Sequence, residues 1–186
     1  MKIQPVNVFQ SETEERYGEY KPASSAVDGD MSTKSETICK YDERVWFRMV
    51  FKTSVCFEMV KIYPSHPGYY RQRLDNTEIF VVRQGTESRV KCGVMKVQDL
   101  HKNQYTIPCN KACGDVIELE VLHEAGAGVK GCIHMFEIEA YTEQCPGGHY
   151  VRNSDGSCEP CPDNYTYSAG GDTSQCLSLG KISYQM

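Results

Sequence analysis

Long apolar runs are missing from this chain of 186 residues. Its longest uninterrupted ones span only a few residues, against the roughly 20 that a membrane-crossing helix needs, so no membrane span is expected. The start, MKIQPVNVFQSETEE, has no apolar stretch of the kind that forms a secretory leader. An excess of positive charge is missing too: 25 acidic residues face 20 basic ones, a formal net charge of −5. No overall positive field exists to hold a nucleic acid backbone or an anionic membrane surface, which removes nucleic acid from the expected partners. No segment carries apolar residues at a sustained helical spacing. Catalytic groupings are absent as well, with no nucleophile beside a base, no Gly-rich phosphate loop and no carboxylate pair, while His101, His123, His134 and His149 fall in separate segments. The expectation is a protein that is not an enzyme.

Cysteine, by contrast, is abundant. Ten in this length is an even count without metal-binding spacing, which predicts up to five disulfides and an oxidising compartment, secreted or on the extracellular face of the cell surface. In that setting Met1 is expected to be an introduced start or the product of processing, and the tail SLGKISYQM to be a cut in a longer chain. The sequon Asn164-Tyr165-Thr166 fits the same compartment.

Up to Tyr141 the chain breaks into short runs rich in Val, Ile and aromatic residues: RVWFRMVF, VCFEMVKIY, TEIFVV, DVIELEVL and IHMFEIEAY. Ile117-Glu118-Leu119-Glu120-Val121 alternates with the two-residue period of a half-buried strand. Clusters of Pro, Gly, Asn and Asp separate the runs, and the economical fold is an all-β sandwich. Beyond Tyr141 the composition shifts to Cys, Gly, Asp and Ser with almost no aliphatic side chain, too little to bury a core. The predicted organisation is a β-sandwich over 1–143 and a Cys-rich module over 144–186, the latter braced through Cys145, Cys158, Cys161 and Cys176. Cys158-x-x-Cys161 lacks the strand-to-helix setting of a redox motif and reads as structural.

Two loops stand out. ASSAVDGDMSTKSE, residues 23–36, sets Asp28 and Asp30 around Gly29 with hydroxyls following, a pattern that suits a hard cation with six to eight oxygen ligands and equally an ordinary Asp-Gly turn. HPGYYRQRLDN, residues 66–76, crowds His66, Tyr69, Tyr70, Arg71 and Arg73 around a Pro-Gly turn. Guanidinium groups offer fixed donors to hydroxyl or carboxylate oxygens, and a tyrosine face offers apolar area and π density to sugar C–H groups. The same residues also allow a plainer arrangement, with the tyrosines packing across the sandwich end, Arg73 paired to Asp75 or Glu78, and His66 capping a turn.

In order, NVFQSE, then ASSAVDGD followed by VWFRMVF, then QRLDNTEIFVV and MFEIEAY, the chain over about residues 5–141 resembles the fucolectin, or F-type lectin, domains, galactose-binding-like jelly rolls related to discoidin domains. The resemblance implies a jelly-roll β-sandwich with a structural Ca²⁺ shared by the AVDG loop and the final strand. The matching positions are Ser25, Asp28, Asp30, Ser35, Phe136 and Glu137, with Ser25, Asp30 and Phe136 giving main-chain oxygen. Fucose-binding members use an upstream histidine and two arginines flanking a loop. Here the second arginine falls on Arg73 and the first on His66, the histidine's place near Ile38–Lys40 has no histidine, and two adjacent loop cysteines are replaced by Tyr69-Tyr70. This implies a glycan or glycoprotein site with an altered fucose triad, or, if sugar binding is lost, a protein-protein or matrix adhesion module. Residues 145–176 resemble the Cys-rich repeats of ephrin-receptor-like and tumour-necrosis-factor-receptor-like proteins, an EGF-like class of spacer. That resemblance implies Cys145–Cys158 and Cys161–Cys176, although four cysteines formally allow three connectivities. Cys39, Cys56, Cys92, Cys109, Cys113 and Cys132 are expected to pair within the sandwich, in an order the sequence does not give.

Overall fold

The computed structural model describes residues 1–16, 19–65, 68–86, 88–98, 101–124 and 129–142, with four short strands beyond. The strands are β1 (Lys2–Ile3), β2 (Asn7–Gln10), β3 (Glu15–Arg16), β4 (Glu19–Tyr20), β5 (Ser35–Glu36), β6 (Val45–Pro64), β7 (Thr77–Val82), β8 (Arg89–Met95), β9 (Tyr105–Val121) and β10 (His134–Thr142). Single 3-10 turns cover Ala23–Ala26 and Gly68–Leu74. Among the described residues no helix is long and apolar enough to cross a membrane.

Two of the runs read from sequence as separate strands, RVWFRMVF and VCFEMVKIY, form the single 20-residue β6. Strands of ordinary length hold about 3–10 residues, so one this long must serve two layers. Its first half, Val45–Val50, pairs with the end of β9 and with β2; its second half, Val55–Ile62, pairs with the start of β9 and with β10. The register breaks between Val50 and Val55. Six residues of straight strand would carry Phe57 about 20 Å from Phe51, yet their ring centroids lie 5.1 Å apart. The strand therefore bends between them.

That bend folds one hydrogen-bonded path, β1-β10-β6-β9-β7-β8, over on itself. Phe47, Met49, Phe57, Ile62, Ile79, Ile117, Leu119 and Ile138 fill the space between the layers, each almost wholly buried. At about 1.5–3 kcal/mol per large apolar side chain this burial is the main force holding the layers together.

The bend leaves little clearance. A Cβ on Gly114 would lie 2.4 Å from the Val82 carbonyl oxygen and 2.6 Å from Val81 Cγ1. Gly114→Ala is expected to lower stability by about 1–3 kcal/mol through overpacking against the β7 backbone; an unchanged urea midpoint would contradict this approach of β7 to β9.

The alternation read in Ile117-Glu118-Leu119-Glu120-Val121 holds, with one difference. Glu118 faces outward but is only 6 % exposed. Arg48 bonds one of its carboxylate oxygens and Arg89 the other, at 2.8 Å for Arg89. Arg89 and Arg44 also hold Glu120, both at 2.7 Å. Long basic side chains thus cover this sheet face.

The six sandwich cysteines pair as Cys39–Cys132, Cys56–Cys113 and Cys92–Cys109. Cys56 and Cys113 sit opposite one another in the β6–β9 ladder, and Cys92–Cys109 ties β8 to β9. Of the expected C-terminal bridges, Cys145, Cys161 and Cys176 lie outside the described residues, and for Cys158 only its place in the strand Cys158–Pro160, opposite Val151, is described. The sequon Asn164 also lies outside them.

Candidate ligand-binding turn and cation loop

The Ala23–Ala26 turn packs on β10 and delivers the chain into Asp28-Gly29-Asp30. Gly29 takes φ 79°, in the left-handed region that favours glycine. This turns its N–H toward Glu137 on β10, which accepts at 3.1 Å across 108 residues. Asp28 Oδ1 accepts from Asp30 N at 2.8 Å, and Asp30 Oδ1 accepts from Ser32 N and Ser32 Oγ at 2.8 and 2.7 Å.

Three oxygens crowd Thr33 Oγ1: Asp28 Oδ2 at 2.8 Å, Asp30 O at 3.0 Å and Ser25 O at 3.3 Å. A hydroxyl has one proton, so it can donate to only one of the three. Four oxygens meet here, the Thr33 hydroxyl included and two of them main-chain carbonyls, with Thr33 N also donating to Asp30 O at 3.2 Å; a donor set of this kind suits a hard cation.

Glu137 adds to this. It is 3 % exposed, and burial pushes its carboxyl above the usual range; the Gly29 N–H and Lys2 oppose the rise, while Asp28 and Glu139 reinforce it. Among the described residues no three His, Cys, Asp or Glu side chains converge as a metal cluster. A cation here would depend on carbonyl and hydroxyl oxygen together with Asp28 and Glu137, and the residues present fit Ca²⁺ on those terms.

The other expected ligands are placed by register. Ser35 pairs with Met135 across β5–β10. Phe136 is skipped where the β10–β6 register shifts between Met135 and Glu137, which takes its main chain out of the ladder. Ser35 is fully buried, and its hydroxyl donates to Gln10 Oε1 at 2.6 Å. Thr33 was not among the residues read from sequence; its place five after Asp28 was the available signal.

The second loop is the 3-10 turn Gly68–Leu74. In such a turn residues i and i+3 eclipse, which brings Tyr70 and Arg73 to one side. The Arg73 guanidinium lies 4.6 Å over the Tyr70 ring, and its Nη1 reaches Cys39 Sγ at 3.5 Å. Arg73 is therefore seated between Tyr70 and the Cys39–Cys132 disulfide, with its own carbonyl accepting from Cys132 N at 3.4 Å. Tyr70 remains 49 % exposed.

Arg71 goes elsewhere. It is 5 % exposed and donates to Lys102 O, and to Asn103 Oδ1 at 3.2 Å. From there it anchors the turn to the 101–104 loop. Thr77 Oγ1 closes the turn on Leu74 O at 2.6 Å. Buried His134 supports it from beneath, Nε2 donating to Tyr70 O at 3.0 Å and Nδ1 3.3 Å from Ser65 Oγ.

The plainer arrangement for Arg73 does not occur: Asp75 Oδ1 accepts from Val97 N at 2.8 Å, and Glu78 pairs with Lys91. His66 lies outside the described residues, and Tyr69 is described only as part of the turn. Cys39 lies within Ile38–Lys40, near which the resemblance places the upstream histidine, and its disulfide sulfur contacts Arg73 there.

An all-β sandwich carrying its loops in this way belongs to a recognisable class of folds. The lectin domain of lectinolysin, complexed with Lewis B antigen, is similar to this chain with a TM-score of 0.57 at 16% identity, covering 74% of this chain and 93% of that one. The fucolectin from striped bass (Morone saxatilis) serum gives a TM-score of 0.58 at 18% identity, covering 74% of this chain and 45% of that one. The module CpGH89CBM32-5 from Clostridium perfringens, solved with GalNAc-β-1,3-galactose, gives 0.57 at 16% identity over 73% of this chain and 94% of its own. The chain thus has the galactose-binding-like β-sandwich fold. No protein-family model matches it, and no curated protein sequence does either.

Proposed function

We propose that the sandwich is a non-catalytic, extracellular carbohydrate-binding domain of a lectin-like kind, stabilised by Ca²⁺ and followed by a Cys-rich spacer. The observation that carries this reading is the seating of Arg73 on Tyr70 and the Cys39–Cys132 disulfide at an exposed turn. A guanidinium beside an aromatic face suits a sugar ring, which offers oxygens along its edge and C–H groups on one face. Tyr70 and Arg73 make contact with the glycan, Tyr69 belongs to the same turn, His66 precedes it in sequence, and Arg71 positions the turn through Lys102 and Asn103. The fucose triad is altered, since no histidine stands near Ile38–Lys40 and His66 stands where an arginine is expected. Solved structures of similar fold include complexes with glycans, which supports the same reading.

Ca²⁺ is assigned to Ser25, Asp28, Asp30, Thr33, Phe136 and Glu137, with Ser35 beside them. A bound ion there supplies positive charge that fixes the loop against β10; the side chains supply the shape.

A glycan array read with and without Ca²⁺ tests the proposal. The expected result is a saccharide-specific signal that Arg73→Ala abolishes. A blank array together with retained binding to a glycan-free partner protein would replace the lectin reading with that of an adhesion module.

A further inference from the structure

Several basic groups elsewhere on the sandwich meet carboxylates. Arg44, Arg48 and Arg89 all sit on Glu118 or Glu120, Lys91 sits on Glu78, and Lys2 bonds Glu139 at 2.9 Å. Around the Gly68–Leu74 turn the basic groups meet aromatic rings, as Lys61 on β6 also does over Tyr141 at 4.6 Å. Arg73 lies over Tyr70, Lys102 lies 5.3 Å over Tyr105, and Lys130 lies 5.7 Å over Tyr41. Among the described residues none of these three cations has a carboxylate within ion-pair reach.

The three belong to one end of the molecule. Arg71 fastens the turn to Lys102, and the backbone of Cys132, two residues after Lys130, bonds Arg73 O. Of the acids nearby, Asp75 accepts from Val97 N and from Asn76 Nδ2, and Glu12 and Glu43 both hold Lys40.

Arg73 itself is part-buried, and its guanidinium carries five N–H donors. One reaches a sulfur, which is a weak acceptor. A partly desolvated guanidinium with its donors so little used is matched best by a ligand oxyanion, which can take two parallel bonds. A neutral hydroxyl would leave most of the charge unbalanced. Resting on the carbohydrate-binding reading, we infer that the preferred ligand is an acidic saccharide, which presents a carboxylate or a sulfate ester to Arg73 while its ring lies along the exposed part of Tyr70.

The test is calorimetric titration of the whole chain with methyl galacturonoside, its neutral methyl ester, galactose 6-sulfate and methyl galactoside. The acidic sugars are expected to bind roughly 10- to 100-fold more tightly than the neutral ones, the range for a charge-assisted hydrogen-bonded contact. The two acidic arms show whether carboxylate or sulfate is the better match. The advantage should shrink as salt rises from about 0.05 to about 0.5 M. It should vanish in Arg73→Gln and survive only in part in Arg73→Lys, which keeps the charge without the planar fork; unchanged melting of both variants excludes misfolding as the cause. If neutral sugars bind as tightly as acidic ones, or Arg73→Gln keeps the difference, the acidic preference is wrong while carbohydrate binding stands. If no saccharide of either kind binds, and an acetylated acidic peptide does, both readings fall together.

Discussion

Replacing Cys39 and Cys132 together by alanine is expected to lower stability by about 2–5 kcal/mol and to remove Arg73-dependent binding. The bridge joins positions 93 residues apart, and a loop near that length carries about 4.7 kcal/mol in the chain-entropy picture. Cys56–Cys113 lies inside the interval, however, and already shortens the open path through the unfolded chain. The value should therefore fall nearer 3 than 5 kcal/mol, a drop in melting temperature of about 6–12 °C for a chain of this size. The fold should persist. The two segments also exchange main-chain hydrogen bonds between Lys40 and Gly131, at 2.9 and 3.0 Å, and Thr37 N donates to Ile133 O at 2.9 Å.

Binding is expected to suffer more than stability, because the sulfur of Cys39 is what Arg73 leans on opposite Tyr70. Paired replacement of Cys92 and Cys109 provides the contrast. It removes a bridge with a sequence separation of 17, between strands that carry none of the turn. Full glycan affinity in the Cys39/Cys132 variant would show that the disulfide does not seat the arginine.

Much of the sandwich could be read from local pattern. The period-two alternation of Ile117–Val121 survives at the end of β9, and the run IHMFEIEAY supplies β10, because each strand has one face on the core. The first half of β9 and the whole of β8 were not singled out: Tyr105–Gly114 and Arg89–Met95 mix Lys, Pro, Asn, Gly and Cys among their apolar residues, and disulfides supply part of what side-chain burial would otherwise give. The fusion of two runs into β6 was hidden for a related reason. Lys52, Thr53 and Ser54 look like a turn, but at a bend between layers their side chains need not be apolar.

At the binding turn, the sequence drew Arg71 and Arg73 into one group. The 3-10 geometry separates them, and only a three-dimensional path shows that Arg71 meets the 101–104 loop. Six cysteines allow 15 pairings, and nothing local favours the one that places sulfur beside Arg73. Thr33 escaped notice because its role depends on where Ser25 O and Asp30 O point, which residue type does not encode.

Addition of Ca²⁺ is expected to raise the melting temperature by about 5–10 °C once the ion reaches about 100 times its dissociation constant, which corresponds to about 2.7 kcal/mol of linkage. The response should be absent in Asp28→Ala. Glu137→Gln gives a sharper test, because its effect changes sign with the metal. In the metal-free protein, burial raises the Glu137 carboxyl above its ordinary range, with Asp28 and Glu139 adding to the rise. A group raised in the folded state favours folding when protonated. Its contribution is complete below the ordinary glutamate value of about 4.3 and is lost as pH climbs through the folded value. At neutral pH in EDTA the charged side chain is therefore a burden, and Glu137→Gln should melt at or above the temperature of the unaltered protein. In saturating Ca²⁺ the carboxylate faces a divalent cation, binding favours the deprotonated form, and the order of the two proteins should reverse. If Glu137→Gln melts lower in both conditions by the same margin, the carboxylate acts only through its bond to Gly29, and the loop from Ser25 to Thr33 is held without an ion.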